Sequence, residues 1–81
     1  NWVVPAGELE AKTKEIATRL ATGPSVAHRL LKDNLNRALK STFAECLDME
    51  SANMLTARMT EDHKEASIAF AEKRKPVFKG R

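Results

Sequence analysis

The sequence has no tyrosine, one tryptophan and three phenylalanines, so aromatic residues fill 5% of its 81 positions. That shortage excludes a large aromatic core and the stacking platforms that grip single-stranded nucleic acid. The only cysteine, Cys46, cannot close an internal disulfide. The usual staple of small secreted domains is therefore absent, which favours a reducing, cytoplasmic setting. Gly7, Gly23 and Gly80 stand far apart, so no glycine-rich phosphate loop is possible. Uninterrupted apolar runs are only a few residues long, against the roughly 20 that a membrane span needs. No basic stretch leads into an apolar one in the manner of a secretory signal. His28 and His63 have no second histidine or cysteine at metal-ligand spacing, and no nucleophile, base and acid fall together. The residues on their own predict no metal site and no catalysis by this chain.

What is present suits one small soluble domain: 42% hydrophobic and 31% charged residues. The net charge of +3 is unevenly distributed. Residues 72–81 hold five cations (Lys73, Arg74, Lys75, Lys79, Arg81) and one acid, so the rest of the chain is slightly negative. The positive field is thus a C-terminal tail, able to meet phosphate, an acidic surface or only solvent. With Phe78 alone among those cations, nucleic acid is a poor fit as a partner.

Apolar spacing predicts an all-α fold of three to four helices. Leu9, Thr13, Ile16, Ala17 and Leu20 share one face of a first helix over about 6–22, broken by Gly23-Pro24. Val26, Ala27, Leu30, Leu31, Leu35, Ala38 and Leu39 define a second over about 25–40. Thr42 with Glu45 forms a capping-box pattern that opens a third, whose apolar face holds Phe43, Cys46, Leu47, Met54 and Leu55. Thr60 followed by Glu61 and Asp62 opens a fourth, with Ala66, Ala69 and Phe70 on its buried side. Its expected end is near Lys75, where Pro76 stops it. Residues 1–4 (Asn-Trp-Val-Val) read instead as a strand stub, closed by Pro5 and without a strand partner in the sequence. Met49, Met54, Met59, Val77 and Phe78 exceed what one small bundle can bury, which points to a partner or a second subunit.

The order of these pieces is specific. A strand-like Val-Val-Pro precedes a helix, followed by Gly-Pro and Leu-Leu-Lys-x-x-Leu-Asn-x-Ala-Leu at residues 30–39. Thr-Glu-Asp-His-Lys-Glu-Ala follows at 60–66, then Ala-Phe-x-Glu-Lys-Arg-Lys-Pro-x-Phe-Lys-Gly-Arg at 69–81. The whole chain resembles the C-terminal segment of the enoyl-CoA hydratase/isomerase family, the crotonase superfamily. The resemblance implies that residues 1–4 end a preceding catalytic domain and that 5–81 form a helical assembly and acyl-CoA-covering domain. It implies a parent enzyme that hydrates 2-enoyl-CoA, with coenzyme A thioester as substrate and no cofactor bound by this segment alone. It further implies partners in the preceding domain and in a homotrimer, often paired into a hexamer. By position in the ending, Lys73 corresponds to the family's lysine at the phosphate end of coenzyme A. Met54 falls at the companion position, often aromatic, beside the adenine. The competing expectation is a free-standing helical module that binds a partner or polyanion through its basic tail.

Overall fold

Capping chemistry sets the helix boundaries. The computed structural model describes residues 1–81. It comprises a 3₁₀ turn at Ala6–Glu8, α1 (Leu9–Ala21), α2 (Ser25–Ala38), α3 (Phe43–Arg58) and α4 (Glu61–Ala71), with no strands. Pro5 fixes the turn before α1, and the Glu8 N–H donates to Pro5 O at 2.9 Å. The Gly23 N–H closes α1 on Leu20 O at 3.2 Å. Pro24 then caps α2 with φ −73° and an extended ψ of 91°. At α3 both arms of the Thr42–Glu45 capping box form: the Glu45 carboxylate accepts from the Thr42 N–H at 2.7 Å, and the Thr42 hydroxyl accepts from the Glu45 N–H at 3.4 Å. The Thr42 N–H first, and then the Thr42 hydroxyl, which donates to the same carboxylate at 2.8 Å, favour the charged form and hold the Glu45 carboxyl below its ordinary pKa. The Thr60 hydroxyl caps α4 by accepting from the His63 N–H at 3.1 Å.

Two boundaries depart from the spacing. The first helix is α-helical only from Leu9, because the turn behind Pro5 closes as 3₁₀. The fourth ends at Ala71, before the stop expected at Pro76, because Lys73 adopts φ 56° and turns the chain out of the helix. Residues 1–5 hold no regular element, and the chain offers no strand against which they could pair. Lys12 Nζ lies 5.8 Å from the centroid of the Trp2 ring and anchors this end loosely on α1.

Packing is concentrated on one helix pair. α2 lies along α3, with a smaller contact from α3 to α4 and no comparable contact for α1. Asn53 donates its amide to the Asn34 side chain across the α2–α3 seam, and Leu30 is buried beside it. Only Leu30, Asp62 and Ala69 are buried in the whole chain. The accessible surface is 6968 Å², whereas a compact monomer of this mass exposes about 4,900 Å². The Cα radius of gyration is 15.9 Å, against about 12 Å for a compact domain of this length. Leu9, Leu20, Leu35, Leu39, Phe43, Leu47 and Met59 all stay at least half exposed. No helix is long and apolar enough to cross a membrane.

Candidate functional site

The basic ending is folded onto α4 rather than free. Asp62, Glu65, Ala66 and Ala69 recur at helical spacing and form the face of α4 that the tail meets. The buried Asp62 carboxylate accepts the Lys79 N–H at 2.7 Å and the Gly80 N–H at 2.9 Å. Its own N–H donates to Arg81 O at 3.0 Å. Gly80 is required where it stands: φ is +76°, and a Cβ would come within 2.9 Å of Ser25 Oγ. Phe78, half-buried, closes a small cavity of about 130 Å³ with Val26, Ala27, Ala57 and Ala66. The tail is thereby a strap that joins the start of α2 to α4.

A second clamp lies one turn along. Arg74 binds Glu65 with both terminal nitrogens, at 2.6 and 3.0 Å, and Glu72 through Nε at 2.6 Å. The Val77 N–H donates to the same Glu65 carboxylate at 2.9 Å. Arg74 first and the Val77 N–H second hold the Glu65 carboxyl down at about 2. The same bonds bind the Arg74 proton more firmly than usual. Arg81 pairs with Glu61 at 3.2 Å. Of the five tail cations, the two arginines are therefore spent on internal carboxylates. Lys73, Lys75 and Lys79 keep their ammonium groups free of ion pairs.

Lys73 sits at the turn that ends α4. The Arg74 N–H donates to Ala69 O at 3.0 Å and the Lys73 N–H to Phe70 O at 3.2 Å, the bond pair of a Schellman motif. The left-handed position that normally takes glycine is here occupied by lysine. Met54, more than half exposed, lies on α3 and lines an apolar cleft of about 220 Å³ with Ala27, Leu30, Leu31, Asn53 and Ala57. Lys73 takes no part in that cleft, and no hydrogen bond or ion pair links the two positions within one chain.

Sequence spacing missed the roles of Asp62 and Glu65. Asp62 reads as a helix-cap acid, and spacing assigns Glu65 no role. The usable signal for Glu65 was charge balance, since it and Glu61 precede a tail carrying five cations, whereas Asp62 had none because its partners are backbone N–H groups. Phe70 was expected on the buried side of α4 yet is 86% exposed. The strap covers the Asp62–Ala69 face, and Phe70 points past its edge.

The geometry describes a helical segment with a fixed, lysine-bearing ending and large uncovered apolar faces. The enoyl-CoA hydratase/isomerase family model matches residues 1–81 in full. The chain belongs to that family. It is 39% identical over 75 residues to the short-chain-enoyl-CoA hydratase of Clostridium acetobutylicum, a match that covers 93% of this chain and 29% of that protein. It is 35% identical over 81 residues to the 1,2-epoxyphenylacetyl-CoA isomerase of Escherichia coli, covering 99% of this chain and 31% of that protein. The crystal structure of enoyl-CoA hydratase subunit I from Geobacillus kaustophilus superposes with a TM-score of 0.88 at 38% identity, over 98% of this chain and 31% of that one. The chain spans under a third of the length of each of these curated relatives.

Proposed function

We propose that these residues are the C-terminal helical segment of an enzyme that reversibly hydrates 2-enoyl-CoA esters, and that they carry its assembly contacts and cover its acyl-CoA site. The observation that supports this reading most strongly is the family match over the full 81 residues. The surface is consistent with it. The excess over a compact monomer is about 2,000 Å², the scale of an obligate interface. In this reading α1–α3 meet a preceding catalytic domain and neighbouring subunits of a trimer or hexamer.

The segment supplies binding rather than bond-making. The carboxylates around the tail and the α3 cap are engaged: Asp62 by the strap, Glu65 and Glu72 by Arg74, Glu45 by the cap of α3. Polarisation of the thioester carbonyl by backbone amides, and addition of water through carboxylates, belong to the part of the enzyme that precedes these residues. Lys73 offers a compact cationic donor for a phosphate at the nucleotide end of coenzyme A. Met54 offers a polarisable apolar contact for the adenine. Because the two do not share a cleft within one chain, each can serve a site completed by another subunit.

The test is hydration of crotonyl-CoA by the full-length gene product, followed as loss of the conjugated thioester absorbance. Saturable hydration is the expected result. Double-bond migration in place of hydration would move the reading to the isomerase branch. No reaction with any 2-enoyl-CoA or 3-enoyl-CoA would overturn it.

A further inference from the structure

Lysine is an unusual occupant of the position that ends α4. A side chain at φ 56° crowds its own backbone, a cost that glycine avoids. The conformation persists because its surroundings determine it. The Schellman bonds fix the turn on one side, and Arg74, the next residue, is held on the other by Glu65 and Glu72 together. Glu65 is in turn fixed by the Val77 N–H, so the turn is closed from α4 across to the strap.

The clamp also engages the carboxylates of Glu65 and Glu72. Glu72 is the chain neighbour of Lys73, and Glu65 stands in the middle of α4. Arg74 takes both, bidentate on Glu65 and through Nε on Glu72. A planar guanidinium satisfies two carboxylates at once, which an ammonium does less well. The consequence is a lysine with a directed backbone.

We infer that Arg74 is a positioning residue for Lys73: by binding Glu65 and Glu72 together it keeps the lysine in its left-handed turn, ready for a phosphate of coenzyme A. This rests on the reading of Lys73 as a phosphate contact, so the test separates the two. The dissociation constant for coenzyme A is measured by calorimetry on the full-length protein and on K73G, R74Q, E72Q and the double variant K73G/R74Q. K73G keeps the turn and removes the ammonium, and weakens binding about tenfold, the value of one charged hydrogen bond. R74Q weakens binding several-fold in the wild-type background and leaves the K73G background unchanged. E72Q removes one of the two carboxylates that hold Arg74 and weakens binding in the same direction as R74Q but less, because Glu65 still holds the guanidinium. This arm does not require R74Q to fold.

Each contrary result has one meaning. If coenzyme A binds K73G as tightly as wild type, or does not bind the wild type, the Lys73 reading fails and the inference with it. If K73G weakens binding but R74Q has no effect, or has the same effect in both backgrounds, Lys73 stands and the positioning role of Arg74 is overturned. A merely structural defect in R74Q would carry over into the K73G background, which is the outcome the cycle detects. Tighter binding by a folded E72Q would likewise overturn the role assigned to the clamp.

Discussion

The two ends of the molecule are held in opposite ways. Residues 60–81 are bound by polar contacts reaching back up to twenty residues: Asp62 to Lys79, Gly80 and Arg81, Glu65 to Arg74 and Val77, Glu61 to Arg81. Residues 1–22 have no such contacts. Val3 is fully exposed, Leu9 and Leu20 are more than half exposed, and no residue of α1 is buried. A hydrogen bond closes locally and needs only its own partner. An apolar face is stabilised only when another surface removes it from water, at about 25 cal/mol per Å². The C-terminal end can therefore be complete within this chain, whereas α1 and the outer faces of α2 and α3 gain no such stabilisation from it.

The contrast can be broken first at Asp62. Asp62→Ala leaves the Lys79 and Gly80 amides without their acceptor and should lower stability by about 3 kcal/mol, read from the denaturant midpoint. Amide exchange at Lys79 and Gly80 should accelerate in parallel, while exchange within α1 stays as it was. Unchanged protection at those two amides would mean that the strap is held by Phe78 packing instead.

Acid should loosen the same end. The Glu65 carboxyl has its folded pKa lowered from 4.5 to about 2, chiefly by Arg74. A lowered folded pKa gives stability that is fully present above the unfolded value and lost as pH falls toward the folded one. The melting temperature should therefore drop as pH falls from about 4.5 to about 2. Glu65→Gln should lower it at neutral pH and flatten that part of the profile. An equally steep acid slope in E65Q would assign the effect to other carboxylates.

The smallest effect is expected at the turn. Lys73→Gly relieves the left-handed strain and should raise stability by about 1 kcal/mol, visible as a higher melting temperature. A lower melting temperature would show that the lysine side chain itself supports the ending.

Much of the helical end of this contrast was legible in the residues. The Thr42–Glu45 capping box, the Thr60 cap and the Gly23-Pro24 break are local chemistry, and each lies where spacing puts it. The surplus of apolar side chains was legible as well, since Met54, Met59 and Val77 remain exposed. Met49 and Phe78 were expected to share that fate, but Met49 is half-buried and Phe78 closes the cavity beneath the strap. The strap itself could not be read from spacing, because its bonds are donated by backbone amides of Val77, Lys79 and Gly80, which carry no residue-type signature. The early end of α4 was hidden for a related reason. Glycine announces a left-handed turn, whereas Lys73 reads as one more tail cation. Of the candidate site, the positions of Lys73 and Met54 came from family resemblance, and their separation within the chain came only from the fold.

Dependence of α1–α3 on another surface is tested most directly by the mass of the 81-residue chain in solution. Sedimentation over a range of micromolar concentrations should give a dimer or larger species, with a broad melt that shifts with protein concentration. A monomer at every concentration with one sharp, cooperative melt would contradict it, because the uncovered helices would then be stable alone.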